Sequence, residues 1–238
     1  MKSSKYRRII LKISGESMKG KRYYGIDQDF LTYLAEEIKD ALATGVQIAI
    51  VPGGGNIFRG LAGAKEGMDR ATADYMGMLA TVFNSLALQD ALEKIGIVAR
   101  VQTSIAMKEI AEPYIRQKAN AHLEKGRVII LGAGTGLPYI TTDTAAALRG
   151  LELKCDAVFK ATKVDGIYDD DPMINSNAKM FKKLTYNEIL HNDKIFIMDD
   201  SAISLCKNGR LSLVVFNINT KGNLRRVLIG EPVGTVVN

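Results

Sequence analysis

The chain has 238 residues, 47% of them hydrophobic, with a formal charge of +6 and a pI near 9.2. That is enough for one large domain or two lobes sharing a sheet, and no apolar run approaches the ~20 residues of a membrane span. Cys155 and Cys206 belong to no CxxC pattern, which speaks against a disulfide framework or structural zinc, and the scattered Lys and Arg lack the aromatic interleaving of a nucleic-acid surface.

In chain order, MKSSKYRR passes straight into RIILKI at Arg8–Ile13, which reads as a buried strand, and a cytosolic location is expected. Phe30, Leu31, Leu34, Ile38 and Leu42 recur at helical spacing and stop at Gly45. VQIAIV at 46–51 is the next strand and runs into Gly53, Gly54 and Gly55. A long helix is predicted over 72–94, with Met76, Leu79, Phe83 and Leu86 on one face and Gly96 after its end. Strands are expected at 98–102, 127–131 and 156–160, a short helix at 142–149, and further alternation at 213–216, 224–229 and 235–237. Such alternation implies a mostly parallel sheet covered on both faces, with ligands bound beyond the carboxyl ends of the strands.

Three strand-end segments carry the chemistry. Lys12-Ile13-Ser14-Gly15 offers an ammonium and a close backbone approach, although a strand-end lysine is also an ordinary surface residue. Gly53-Gly54-Gly55-Asn56 with Arg59 fits either an anion nest beside a guanidinium or a flexible turn. Gly132-Ala133-Gly134-Thr135-Gly136-Leu137-Pro138 leads to Thr141-Thr142-Asp143-Thr144 at a helix start, where Asp143 fits both a site role and simple dipole stabilisation. Gly15 to Lys21 imitates a P-loop, but Arg22 stands where Ser or Thr must be, and the loop at Gly132 lacks the last glycine of a dinucleotide fingerprint. Only His122 and His191 are present, which leaves a zinc site or a Ser-His hydrolase without residues. Asp169-Asp170-Asp171 before Pro172 reads as a solvated turn, one member of which could meet a nucleotide hydroxyl.

Together with Gly53-Gly54-Gly55-Asn56-Ile57-Phe58-Arg59-Gly60, Asp74-Tyr75-Met76-Gly77-Met78-Leu79-Ala80-Thr81 and Lys160-Ala161-Thr162-Lys163-Val164-Asp165-Gly166, these motifs resemble bacterial uridylate (UMP) kinase of the amino-acid kinase superfamily, from about residue 5 to 237. The resemblance implies an α/β fold, a three-layer αβα sandwich with a mostly parallel central sheet. It implies a single domain over 1–238, with a soft boundary near 154 between a UMP-binding and an ATP-binding lobe. It implies a homohexamer and the reaction ATP + UMP → ADP + UDP in pyrimidine biosynthesis, with Mg²⁺ bound through the nucleotide phosphates.

By matching motif, Lys12, Ile13, Ser14, Gly15, Gly55 and Arg59 would contact ATP phosphates, and Thr162, Tyr168 and Asp171 would line the adenosine pocket. Gly54, Asp74 and the run Thr135, Gly136, Leu137, Pro138, Tyr139, Ile140, Thr141 and Thr142 would hold UMP. Lys12, Arg59 and Asp143 are the expected catalytic residues, with Asp143 organising Lys12 or the metal. Arg100 and Arg127 match arginines of an allosteric GTP site, with GTP and UTP as candidate effectors. Arg22-Tyr23-Tyr24-Gly25-Ile26-Asp27, in the same allosteric region, departs from the family pattern. Two further readings stay open: a kinase of this fold with an acid or carbamate acceptor, and a nucleotide-sensing or DNA-binding regulator.

Overall fold

The computed structural model describes residues 2–60, 63, 67–192, 195 and 197–238. Strands β1 (Arg8–Ile13), β2 (Gln47–Pro52), β3 (Ala99–Thr103), β4 (Glu112–Pro113), β5 (Val128–Gly132), β6 (Ala157–Thr162), β9 (Lys183–Leu184), β10 (Ser212–Asn217) and β11 (Thr235–Val237) form one sheet among the described residues. Its order is β4-β3-β5-β2-β1-β6-β10-β11-β9. Pairing is parallel from β4 through β10, β11 runs antiparallel to β10, and β9 is parallel to β11. A separate hairpin joins β7 (Ile167–Tyr168) to β8 (Met180–Phe181).

The period-2 alternation of β1 explains the three layers. Ile9, Leu11 and Ile13 enter one core with α2 (Gln28–Leu42), α3 (Arg70–Lys94) and α8 (Asn223–Leu228). Ile10 enters the other, with α4 (Arg116–Glu124), α5 (Thr142–Glu152), α6 (Tyr186–Leu190) and α7 (Asp200–Asn208). Lys12 shares the Ile10 face at the strand's carboxyl end. The short α1 (Gly15–Met18) follows β1 at once and ends well before Lys21, which removes the P-loop reading. No helix among the described residues is long and apolar enough to cross a membrane.

Expected boundaries hold to within a few residues, and 224–229 is the helix α8. The inner face of α3 is the notable difference. Met76, Leu79 and Phe83 point outward and are 38%, 50% and 66% exposed, while Thr81, Asn84, Ser85, Leu88 and Leu92 are buried. A Cβ on Gly54 would meet Gly77 O at 2.7 Å and the Ala80 Cβ at 2.9 Å. Where the helix meets the glycine loop the approach is so close that Gly77, Ala80, Thr81 and Asn84 line the contact, so hydrophobicity does not mark that stretch.

Candidate active site

The carboxyl edge of the sheet gathers the three glycine segments. The Gly53 N–H donates to Ile13 O at 2.7 Å, joining the end of β2 to the end of β1. A Cβ on Gly15 would lie 2.5 Å from the Gly55 nitrogen, so the two loops touch through glycine. Among the described residues, the N–H groups of Gly54, Gly55 and Asn56 have no acceptor, as an anion nest requires. The third segment is pinned to α3 by Ala133 N donating to Thr81 Oγ1 at 2.8 Å. From below, the Ser104 hydroxyl donates to Gly134 O at 2.7 Å, and Arg149 Nη2 donates to Ser104 Oγ at 2.9 Å.

A cavity of about 440 Å³ opens between these segments, walled by Gly54, Gly55, Arg59, Arg70, Asp74, Ile140, Thr141 and Thr142. Asp74 Oδ2 accepts from Arg70 Nε and from Tyr139 N, both at 2.8 Å, and Oδ1 faces Gly60. Thr135, Gly136, Leu137, Pro138 and Tyr139 do not form this wall. They make the loop beside it, with Leu137 and Tyr139 exposed and the Arg70 guanidinium 5.2 Å from the Tyr139 ring centroid.

A second cavity of about 420 Å³ brings Thr162, Tyr168 and Asp171 together with Ile195, Ile197 and, at its inner end, Lys160. Thr162 Oγ1 donates to a carbonyl, that of Val164 at 2.7 Å, and Asp171 Oδ1 accepts from Met173 N at 2.8 Å, which shapes the turn after β7. Ile13 is fully buried, so its side chain is closed to a ligand, and Ser14 caps α1 by accepting from Ser17 N at 3.1 Å.

A buried charge cluster borders both cavities, next to Thr142 of the first and through Lys160 of the second. Lys12 of β1 and Lys160 of β6 are register partners on adjacent parallel strands. Asp143, in the first turn of α5, stands between them. Its Oδ2 accepts from Lys160 Nζ at 2.7 Å, and its Oδ1 lies 3.0 Å from Lys12 Nζ in an ion pair without hydrogen-bond alignment. Burial pushes the Asp143 carboxyl up, but the two ammonium groups outweigh it and hold the group below the usual aspartate range. Burial pulls the Lys160 ammonium below the usual lysine range against the attraction of Asp143. Thr141 caps α5, and Asp199, the cap of α7, accepts from the hydroxyls of Thr141 and Thr144, which fixes the two helix starts to one another.

Arg59 is 60% exposed at its side chain and is held beside Gly55 by Glu16. Burial raises Glu16, but Lys19 and Arg59 together outweigh it and hold the carboxyl below the usual glutamate range. Arg100 and Arg127 lie apart from this cluster and are not joined. Arg100 pairs with Glu93 at 3.5 Å, and Arg127 Nη1 meets His122 Nδ1 at 3.1 Å. Lys160, Arg70, Glu16 and Asp199 were not expected as site residues. The signal for Lys160 was a lysine inside the buried strand AVFKAT, the same pattern that marked Lys12 in RIILKI.

The model of the amino acid kinase family matches residues 7–217. The structure of UMP kinase from Bacillus anthracis superposes with a TM-score of 0.94 at 39% identity, covering 98% of this chain and 96% of that one. UMP kinase from Ureaplasma parvum gives 0.90 at 35% identity with both chains fully covered, and uridylate kinase from Archaeoglobus fulgidus gives 0.74 at 26% identity, covering 97% and 99%. The chain belongs to the amino acid kinase family, in the branch of the bacterial UMP kinases.

Proposed function

We propose that the protein is a UMP kinase, transferring the γ-phosphoryl group of ATP to UMP to give ADP and UDP in the pyrimidine nucleotide supply of the cytoplasm. The observation that carries this is a Lys12–Asp143–Lys160 charge cluster bordered by two nucleotide-sized cavities, one reaching Thr142 beside Asp143 and the other lined by Lys160. UMP takes the cavity of Gly54, Asp74 and Thr142, in the N-terminal lobe. ATP takes that of Thr162, Tyr168 and Asp171, beyond the boundary near 154, with its phosphates reaching Lys12, Gly15, Gly55 and Arg59. A UMP phosphate oxygen, already anionic, forms a bond to the γ-phosphorus as the bond to the β,γ-bridging oxygen breaks and ADP leaves. Catalysis then asks for in-line alignment and cations rather than a base.

Lys12, Lys160 and Arg59 supply those cations, and Asp143 keeps the two lysines together. Both Asp143 oxygens already face ammonium groups, so the face turned to the phosphates is cationic. That fits a Mg²⁺ carried by the nucleotide phosphates, where it neutralises their charge. The outward apolar face of α3 at Met76, Leu79 and Phe83 supports an assembly of copies, in this reading a homohexamer.

A coupled assay of ADP release with Mg-ATP tests the function. UMP is expected as substrate, and turnover only with an acid or carbamate acceptor, or none with any, overturns the reading. In the same assay dUMP should be the poorer substrate. An Asp74 oxygen left without its ribose hydroxyl costs about 1–3 kcal/mol, a roughly 5- to 150-fold loss in kcat/KM. Equal values for UMP and dUMP remove Asp74 from the ribose.

Regulation is part of the same proposal. GTP is expected to bind in contact with Arg100 and Arg127 yet activate weakly, because Tyr23 and Tyr24 stand 94% and 76% exposed in the loop expected to respond. A working effector couples by about 1–3 kcal/mol, which is several-fold in rate or affinity. Titrating GTP while following binding and UDP formation separates the outcomes. Several-fold activation that vanishes in Arg127→Ala shows an intact switch, and absence of binding removes the two arginines from an effector site.

A further inference from the structure

Between α3 and the phosphate loop lies a pair of asparagines that the reaction described above does not use. Asn84 is fully buried and Asn56 is 3% exposed. Their carboxamides face each other head to tail, with Asn84 Nδ2 donating to Asn56 Oδ1 at 2.7 Å and Asn56 Nδ2 donating to Asn84 Oδ1 at 3.0 Å. Each amide spends its second N–H on a backbone carbonyl. Asn84 donates to Gly53 O at 2.7 Å, and Asn56 donates to Gly25 O at 2.8 Å. Flipping either amide would set N–H against N–H and carbonyl against carbonyl, so the network fixes both orientations.

The two bonds made by Asn84 bracket the loop. One holds Gly53 and the other holds the side chain of Asn56, so Gly54 and Gly55, whose N–H groups have no acceptor among the described residues, lie between two clamped points. The first point is tied again through Gly53 N to Ile13 O at 2.7 Å, next to Lys12. The second is tied through Gly25 N, which donates to Asn56 O at 2.9 Å. Asparagine is a poor helix former, and its amide here is entirely out of water in the middle of a 25-residue helix. Asp74, at the cavity, sits ten residues earlier on that same helix. One rigid element thus carries the ribose candidate and the clamp on the phosphate loop.

We infer that Asn84, acting through Asn56, is a positioning residue for phosphoryl transfer. It sets where the Gly54 and Gly55 amides stand relative to Lys12 and to the nucleotide held by Asp74. The inference rests on the kinase reading above. A small misplacement of groups that act in the transition state is costly, on the order of 10- to 100-fold in rate, while ground-state binding elsewhere in the cavity is little changed.

The test compares Asn84→Ala, Asn56→Ala, the double variant and Leu88→Ala in the coupled UMP assay, with Tm read alongside. Leu88 is fully buried one turn further along α3 and packs in the core rather than on the loop. Asn84→Ala is expected to lower kcat by about 10- to 100-fold with the KM for UMP changed by less than about 3-fold. Leu88→Ala should lower Tm while keeping kcat. The double variant should match the worse single variant, because the two amides act as one unit.

Wild-type kcat in Asn84→Ala, whatever its Tm, overturns the inference, and so do losses in the two single variants that multiply in the double. If Asn84→Ala does not fold, Asn84→Asp keeps the volume, removes both donors and is judged by the same kcat and KM criteria. A wild-type protein without UMP-dependent ADP release overturns the kinase reading instead, so the two failures are distinct.

Discussion

Lys12→Ala should lower kcat by about 10²–10³ while leaving the protein folded, the usual cost of removing one preorganised donor to transition-state charge. The sequence left two readings of this lysine, solvated surface or phosphate ligand. Its side chain is 9% exposed, it is the penultimate residue of a strand buried along its whole length, and its ammonium is 3.0 Å from Asp143, beside the Lys160 that lines the second cavity. A lysine buried to that degree beside one carboxylate, with a second lysine on the same carboxylate, leaves the cluster with a net positive charge. That excess suits a transferring phosphoryl group and is wasteful as a structural device. Lys12→Arg should be impaired as well, since a planar guanidinium does not replace the compact ammonium that shares Asp143 with Lys160. Steady-state kcat with a thermal melt of each variant decides the matter. A folded Lys12→Ala enzyme turning over at the wild-type rate would sink the catalytic assignment.

The parts of this site that could be read in sequence share a physical property: the chemistry lies next to an element with a strong local signal. RIILKI is an unbroken buried run, so its end could be located, and with it Lys12 and Gly15. VQIAIV followed by three glycines located the glycine loop in the same way. Asp143 could be placed because Thr141 announces a helix start, and it caps α5 by accepting from Asp143 N and Thr144 N. What escaped was long-range. Lys160 reaches Asp143 only because β6 pairs with β1 rather than with a sequence neighbour. Asp199 lies 55 residues from Thr144 along the chain, on a helix whose start had no clear pattern around it. The inner face of α3 was hidden for another reason. Close approach to a glycine loop selects Gly77, Ala80, Thr81 and Asn84, none of which stands out by hydrophobicity.

Asp143→Asn is expected to have the largest combined effect, and its size separates the two roles that the sequence left open. A carboxylate that only complements the helix dipole contributes about 0.3–1 kcal/mol, and its loss would scarcely touch turnover. Removing the shared counter-charge of two buried lysines costs more, about 3–5 kcal/mol, because both ammonium groups remain without compensation. At this chain length each kcal/mol moves Tm by roughly 2–4 °C, so a fall of about 6–20 °C is expected. The rate should drop by about 10²–10³ as well, since Lys12 and Lys160 would repel one another and Lys160, already below its usual range through burial, would lose its proton more readily.

The pH dependence gives an independent check. The folded protein holds the Asp143 carboxyl below its ordinary range, so its stabilisation is complete above the unfolded value of about 4 and is lost as pH falls through the lower folded value. The gap in Tm between wild type and Asp143→Asn should therefore be constant from pH 7 down to about 4 and narrow as the pH falls further toward 3. A constant gap between the two curves down to pH 3, or a Tm change under about 3 °C with near-normal turnover, would reduce Asp143 to a helix-end charge.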